Sequence, residues 1–547
     1  MCIACGVSLA GPTKEQCYST SLGAASGNRE TFRQKRDELS GRILANAATA
    51  FVSVLVGLVL AEGAARILDG MPLTQLELPV RLVNIGNDTT AERLDEVARA
   101  PSVQRDWFFS DPPPLPNRKP VPASLQELDR ALQQPGNPFQ SSEALKIWNS
   151  VLVGDPCESP FFSKAPGWLM LFDPADGKPQ PPFRFQPDST TPIGLVTNEL
   201  GWRGPPMAFA RSPRTIRIVF VGASTTSDTH QMPYSYPEFI GHWLNLWAAK
   251  NRPDIRFEVG NAGRESIASS GIEAVVRTEV VPARPDLVIY HEGGNQFLLS
   301  SVVPSLPSGE KPAPMVHLDQ ASKGWLADLS RYSDIARRIY TLVAVMKLQS
   351  EGNEAPKPDY EVVWPKGLSE TDPDIKRKDL PVELSTILGD LDRIRADLAP
   401  IDSEFAVTSF MWMAKDGLKL DPIRNRMTWD YLNLYMFPYR YRDIERLANF
   451  QNLVLEKYAR AHGIDFIDVA GKMPFDPDLY ADGVHTTYPG TRMKGWVILQ
   501  QLVPLIEARL ASGAWPRTLP AGSEVPPHQA MPARRIEFNC PAPRPAK

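Results

Sequence analysis

The run IRIVFVGASTTSD, residues 216–228, constrains the fold of this chain more than any other stretch. Strand-forming residues fill 216–221 and stop at Gly222, which brings Ser224 to the start of a polar turn. Open α/β sheets bind their ligands at the carboxyl ends of buried parallel strands. Ser224 is therefore a candidate nucleophile, and it would need a base, an acid that orients the base, and donors for an oxyanion.

Four more strand candidates follow along the chain, at 255–259, 286–290, 405–410 and 465–469. Helical patterns lie between several of them, such as ANFQNLVLEKYARAHG, for which Gly463 is the expected stop. Alternation of this kind predicts an α/β fold with three layers, in which a parallel sheet lies between two layers of helices.

The composition of the chain changes along its length and suggests five segments. The 53 prolines among 547 residues are concentrated outside the alternating region, which favours one main domain with irregular flanks. We expect a disordered cytoplasmic tail at 1–42, a transmembrane helix at 43–66, a Pro-rich extended region packed on the main domain at 70–209, the main domain at 210–513 with an insertion at 302–400, and a Pro-rich tail at 514–547.

The segment ILANAATAFVSVLVGLVLA, from residue 43, contains no charged residue. About 19 residues at a rise of 1.5 Å each nearly match the ~30 Å hydrocarbon core of a bilayer. Basic residues before the segment outnumber those just after it, which predicts a cytoplasmic amino terminus and a main domain outside the cytoplasmic membrane. Two alternatives stay open: a buried core helix, and a cleavable signal peptide with small residues at 63–65 near the cleavage site.

Three further blocks place polar groups where strands end or a helix begins. GNAGRES puts Gly263 in a turn after the second strand, and GGNQF puts Asn295 after the third. YADGVHTTYPG puts Asp482 three residues before His485, ahead of a helix that Thr486 or Thr487 can cap and whose first turn suits Pro489.

These residue types together fit acyl transfer. A serine hydroxyl attacks a carbonyl only when an imidazole takes its proton, and a carboxylate fixes the tautomer of that imidazole. The Ser224 N–H, the Gly263 N–H and the Asn295 side chain are candidate donors to the oxyanion. His291 and Glu292 adjoin the Gly-Gly turn and are candidates to line the pocket, although His291 fits equally well as a packed residue at a strand end.

The four blocks, GAST, NAG, GGNQ and DGVH, stand in the order typical of the SGNH (GDSL-type) hydrolase family, which the chain resembles over residues 197–510. The resemblance implies a flavodoxin-like fold, with Ser224 as nucleophile, His485 as base, Asp482 as the orienting acid, and Gly263 and Asn295 in the oxyanion hole. The chain differs from the family at Ala223, where Asp is usual, and at Gln296, where Asp or Glu is common. The serine also lacks the glycine that usually follows it.

Other function classes find little support in the sequence. A net charge of -4 and a pI near 6.1, with no basic stripe, argue against a nucleic-acid partner. The remaining histidines show no metal-ligand spacing, so we expect no metal and no cofactor. The pattern leaves the oligomeric state open.

The sequence thus predicts a membrane-anchored serine esterase that acts through an acyl-enzyme on ester or O-acetyl groups. Placement outside the membrane favours an acylated small molecule, glycan or lipid ester as the substrate. Two alternatives remain: an O-acyltransferase that passes the acyl group to a sugar hydroxyl, and a non-catalytic protein that binds or assembles envelope glycans.

Overall fold

The structure is a computed structural model. It describes residues 27–69, 71–78, 92–121, 168–172, 188, 190, 194–207, 211–229, 231, 233–265, 267–304, 325–351, 354–420, 425–517 and 533–537.

The strands and helices of these residues follow the predicted alternation. The strands are β1 Trp168–Phe172, β2 Thr215–Gly222, β3 Arg256–Asn261, β4 Leu287–His291, β5 Glu404–Thr408, β6 Asp465–Ile467 and β7 Ala533–Glu537. The helices are α1 Gly27–Leu68, α2 Ser224–Ser227, α3 Tyr236–Asn251, α4 Ser269–Val275, α5 Trp325–Ser330, α6 Asp334–Glu351, α7 Leu384–Leu398, α8 Arg426–Asp430, α9 Tyr441–His462 and α10 Tyr488–Ala511. Short helical turns lie at Arg105–Phe109, Val276–Val280, Val281–Ala283, Leu299–Ser301, Ala399–Ile401, Tyr431–Tyr435 and Pro477–Leu479.

The chain forms two compact units. The smaller one contains Met1–Val80 together with Lys323–Tyr340, and the larger one contains Arg81–Ser322 together with Thr341–Lys547. Part of the predicted insertion at 302–400 therefore belongs with the amino-terminal segment, because it packs there through hydrogen bonds to α1. The predicted domain boundaries did not anticipate this grouping.

Helix α1 dominates the smaller unit and is 42 residues long. Its stretch Leu44–Leu68 is long and apolar enough to cross a membrane, and none of its most apolar window is buried. The helix begins at Gly27, so the prediction of a disordered tail through residue 42 is wrong for residues 27–42. Residues 28–40 contain neither glycine nor proline, so a helix can continue backward from the apolar stretch at little cost. Residues 1–26 lie outside the described part of the chain.

The larger unit contains a five-stranded sheet in the order β3-β2-β4-β5-β6, and every neighbouring pair is parallel. Counted along these five strands, the order is 2-1-3-4-5, which is the flavodoxin-like arrangement. All five predicted strands are present, and the predicted α/β fold with a parallel sheet is confirmed. Strands β1 and β7 pair with each other in a separate antiparallel sheet, so the tail predicted to be irregular contains one strand.

The helices of the larger unit form two layers. Helices α3 and α10 pack against each other, and α7 packs against both α4 and α9. The chain moves from β2 to one edge of the sheet through α3 and returns in the other direction through α4. Because crossover connections are right-handed, these two helices lie on opposite faces. The order of the strands reverses beside β2, and ligands bind at such a switch point in open α/β sheets.

The core of this unit lies on both faces of the sheet. All eight residues of β2 are buried, as expected for a central strand covered on both sides. Large aromatic side chains fill the space beside it, including Trp243 and Trp496, whose rings meet edge to face at 5.3 Å. The region at 70–209 contributes buried side chains to the same core where it is described: Trp107, Phe108, Leu115 and Trp202.

Candidate active site

The turn between β2 and α2 presents Ser224. Strand β2 ends at Gly222, Ala223 caps the helix, and Ser224 is its first residue. A Cβ atom at residue 222 would lie 2.2 Å from the carbonyl oxygen of His291 and equally close to Oγ1 of Thr226. Only glycine fits there, and the chain can therefore turn sharply and hold the serine at the carboxyl end of the strand.

Ser224, His485 and Asp482 form a continuous chain of hydrogen bonds. Oγ of Ser224 lies 2.8 Å from Nε2 of His485, and Nδ1 of His485 lies 2.8 Å from Oδ2 of Asp482. Nδ1–H donates to the carboxylate, so the lone pair of Nε2 can accept the proton of the serine hydroxyl. The structure thus brings together three predicted residues that come from two regions about 260 positions apart in sequence.

The loop before α10 positions the acid and the base. Oδ1 of Asp482 accepts hydrogen bonds from the backbone N–H groups of Val484 and His485, at 2.9 and 2.8 Å. Burial acts to raise the pKa of Asp482, but the charge of His485 and these hydrogen bonds outweigh it and hold the pKa well below its usual range. Asp482 is therefore ionised at neutral pH, as a partner of an imidazolium must be.

The predicted oxyanion donors differ in what they contact. The Ser224 N–H lies in the first turn of α2, where N–H groups have no partner within the helix. The Gly263 N–H donates to Oδ1 of Asn261 at 3.1 Å, and the Asn295 amide donates to the carbonyl of Ile267 at 2.9 Å. An amide has a second hydrogen to donate. The oxyanion role of these three residues stays a prediction.

His291 and Glu292, the predicted pocket residues, are both buried. Nδ1 of His291 lies 2.7 Å from Oγ1 of Thr408, and burial holds the pKa of His291 well below its ordinary value. This geometry matches the alternative of a packed strand-end residue. Oε1 of Glu292 accepts from the N–H groups of Gly294 and Asn295, each at 2.8 Å, while burial raises its pKa. Glu292 thus shapes the turn that presents Asn295.

Two buried cations that the sequence reasoning missed hold the nucleophile turn. Nζ of Lys494 donates to the carbonyl of Thr225 at 2.6 Å and lies 3.0 Å from Oδ1 of Asp228. The guanidinium of Arg203 contacts the carbonyls of Ser227 and Asp228. These contacts fix the turn that presents Ser224. A lysine within the apolar run MKGWVILQQLV was the available signal for Lys494.

Tyr431 is another neighbour of the site that the sequence did not reveal. A Cβ at Gly483, between Asp482 and Val484, would lie 2.2 Å from the ring of Tyr431, so the ring packs directly on the turn that positions the acid. Burial, together with the charge of Asp482, raises the pKa of Tyr431. Tyr431 is therefore neutral at pH 7 and acts as a packing surface.

No group of three His, Cys, Asp or Glu side chains within the described ranges could hold a metal ion. A cavity of about 470 Å³ lies elsewhere in the larger unit, lined by Tyr360, Arg440, Arg442, Asp443 and Arg446 among others. None of the residues that line it belongs to the hydrogen-bonded chain at Ser224. Arg440 pairs with Asp443 and Arg446 pairs with Glu370, so most of its positive charge is already neutralised.

Comparisons with known proteins give only distant likenesses. No protein-family model and no curated protein matches the sequence. Among solved structures, an acetylxylan esterase from Geobacillus stearothermophilus is 14% identical in sequence and has a TM-score of 0.29. The match covers 52% of this chain and 94% of the esterase. A GDSL-like lipase from Bacteroides thetaiotaomicron is 14% identical with a TM-score of 0.25, covering 54% and 88%. Values this low do not assign the chain to a family.

Proposed function

We propose that this protein is a serine hydrolase of carboxylic esters. The observation that supports this most directly is the hydrogen-bonded chain from Ser224 through His485 to Asp482, with both distances at 2.8 Å. It stands at the switch point of a parallel sheet, where open α/β folds bind ligands. The order of the four sequence blocks, which resembles the SGNH hydrolases, agrees with these roles.

The reaction would proceed in two steps. His485 removes the hydroxyl proton as Oγ of Ser224 attacks the ester carbonyl, and the Ser224 N–H stabilises the oxyanion with Gly263 and Asn295 as further donors. The alcohol leaves with the proton from His485, and an acyl-enzyme remains. Water, deprotonated by His485, then attacks the acyl-enzyme. The bond between Oγ of Ser224 and the acyl group breaks, Oγ takes the proton back from His485, and the acid is released.

The substrate class follows from the location that α1 suggests. A helix with an apolar stretch from Leu44 to Leu68 fits one crossing of the cytoplasmic membrane, with the hydrolase outside it. An acylated envelope glycan or a lipid ester is then the accessible substrate. O-acetyl groups on such a glycan present the small, exposed carbonyl that a serine hydrolase can reach.

A fluorophosphonate probe combined with an aryl acetate assay tests the enzymatic proposal. The wild-type chain is expected to react with the probe and to hydrolyse the aryl acetate, whereas Ser224→Ala should do neither. Ser300→Ala removes an exposed hydroxyl outside the proposed machinery and should behave as wild type. If folded wild type shows neither labelling nor turnover, the enzymatic proposal fails and the non-catalytic alternative gains support.

The same assay separates a hydrolase from an acyltransferase. Both form the acyl-enzyme and both react with the probe, but a transferase releases the aryl alcohol slowly until a glycan acceptor is added, and it then passes the acyl group to the acceptor and not to water. A hydrolase is expected to release acetate at a rate that the acceptor leaves unchanged. Acetylated glycan formed at the expense of free acetate would replace the hydrolase proposal with the transferase.

A further inference from the structure

Helix α5 and the start of α6 expose an unusual number of apolar side chains. Both belong to the compact unit that contains α1, and neither contributes to the candidate active site. Trp325 is 77% exposed, Leu329 46%, Tyr332 45% and Ile339 48%. Single exposed apolar residues are normal on soluble proteins, but a cluster of them marks a surface that binds something apolar. We call residues 325–339 the apolar segment.

Glu62, near the end of α1, fixes the start of α6. Its carboxylate accepts hydrogen bonds from the backbone N–H groups of Asp334 and Ile335, at 2.7 and 3.1 Å, and from the Ser333 hydroxyl at 2.8 Å. A carboxylate at a helix amino terminus satisfies N–H groups that have no partner in the helix and interacts favourably with the helix dipole.

Arg66, one turn further along α1, makes a second connection. Its guanidinium pairs with Glu62 at 2.7 Å and donates to the carbonyls of Tyr332, Gln75 and Pro72, at 2.7, 2.7 and 3.0 Å. Arg66 is buried. The apolar segment is therefore attached to α1 by a partly buried network of charged hydrogen bonds, which stays intact only if the segment remains at the level of Glu62 and Arg66.

The level of this network along α1 decides what surrounds the apolar segment. Glu62 directly follows Ala61, the last residue of the uncharged run of 19 residues that nearly matches the hydrocarbon core of a bilayer. The network therefore lies at the level of the adjoining interfacial region. Leu68, the last residue of the helix, and Leu73 and Leu76 beyond it are apolar and exposed as well.

The chemistry of the segment also suits this position. Trp and Tyr are enriched at membrane interfaces because their rings are apolar at one end and polar at the other. Arg331, between α5 and α6, is exposed, and basic side chains near a membrane surface attract anionic lipid headgroups.

We propose that the apolar segment is a second membrane contact, lying in the interface of the leaflet where α1 leaves the bilayer, with its apolar side chains among the lipids. The proposal rests on α1 spanning the membrane and is independent of the chemistry at Ser224. It gives the insertion a role: part of it holds the chain against the bilayer surface.

Nitroxide accessibility tests the proposal on the full chain in phosphatidylcholine and phosphatidylglycerol vesicles. The five native cysteines are replaced by serine, and single cysteines are introduced as Leu329→Cys and Ile339→Cys. Val363→Cys is the matched control, because Val363 is an apolar residue of the larger unit with 52% exposure. Labels at 329 and 339 should collide more with oxygen than with a water-soluble nickel complex, and the label at 363 should show the reverse. Nickel accessibility at 329 and 339 equal to that at 363 would overturn the proposal.

Two further measurements test the two premises of the proposal, which are that α1 spans the membrane and that Glu62 positions α6. If alkaline carbonate extracts the chain from vesicles, α1 does not span the membrane and this proposal is overturned. The aryl acetate assay, measured separately, tests the chemistry at Ser224 and does not depend on that result. Glu62→Ala, combined with the label at 339, should raise nickel accessibility several-fold because the cap on α6 is lost. Unchanged accessibility in that variant would contradict the positioning role of Glu62.

Discussion

Lys494 and Asp228 form an ion pair that is almost fully buried beneath the nucleophile turn, with side-chain exposures of 1% and 4%. Burial lowers the pKa of Lys494, although Asp228 acts against this. A buried charge that loses its partner is strongly destabilising, whereas the intact pair adds little on its own. The pair therefore matters mainly because it fixes the carbonyl of Thr225 and the geometry of Ser224.

Lys494→Met is expected to destabilise the protein by about 3–5 kcal/mol, because Asp228 is left buried without its cation. The kcat for an aryl acetate should fall as well, since the turn no longer fixes Ser224. Thermal unfolding of the full chain in detergent, together with kcat, measures both. Lys472→Met changes an exposed lysine and serves as the control. Equal stability of the two variants would show that the buried cation is dispensable.

Asp482→Asn should lower kcat by roughly 10⁴ and leave KM nearly unchanged, because the amide favours the wrong tautomer of His485. Steady-state kinetics on an aryl acetate measures this, with Asp416→Asn, at an exposed position, as the control. A rise in KM with kcat unchanged would contradict an orienting role for Asp482.

The depressed pKa of Asp482 also predicts how stability depends on pH. The contribution of Asp482 to the free energy of unfolding is fully present above the ordinary carboxyl pKa of about 3.9. It is lost as the pH falls toward the lower pKa that the group has in the folded state. The difference in unfolding free energy between wild type and Asp482→Asn should therefore shrink as the pH falls below about 4. Denaturant titrations at several pH values measure it, and a difference that grows as the pH falls below about 4 would contradict this assignment.

At the scale of elements, the turns that connect strands and helices accept few residue types. Helix α9 ends at His462 and is followed by Gly463, with φ of 63°. Thr487 caps α10, with Pro489 in its first turn, and both ends agree with the sequence pattern. The turn between β2 and α2 leaves less space for a side chain, because the backbone of Gly222 passes close to the end of β4.

Gly222→Ala should destabilise the protein by several kcal/mol, since the added Cβ would overlap the carbonyl of His291 and the side chain of Thr226. Gly389→Ala is the contrasting control. Gly389 lies inside α7, and a Cβ there meets only Nη1 of Arg393, at 3.9 Å. That variant should stabilise the protein by about 0.5–1 kcal/mol through helix propensity. Unfolding midpoints of the two variants test the contrast, and similar midpoints would refute it.

At the scale of the whole molecule, the chain combines a long apolar helix with an α/β unit. A reporter enzyme fused after residue 547 tests the proposed orientation. A reporter active only outside the cytoplasmic membrane, such as a periplasmic phosphatase, should be active on the fusion, because the basic residues before α1 favour a cytoplasmic amino terminus. Activity of a cytoplasmic reporter at the same position would reverse the orientation and remove the argument for an envelope substrate.

The sequence alone determined the features that depend on local periodicity and on residue order. Alternating strand and helix patterns predicted all five strands of the parallel sheet, and four short blocks singled out Ser224, Asp482 and His485, because strand ends and helix caps have recognisable residues. Only the tertiary structure decided which distant groups meet. The cations Lys494 and Arg203 beneath the turn, Tyr431 against Gly483, and the attachment of residues 333–335 to Glu62 are contacts between segments far apart in the chain. Such contacts leave no periodic trace in a single sequence, since they depend on how the packed layers bring those segments together.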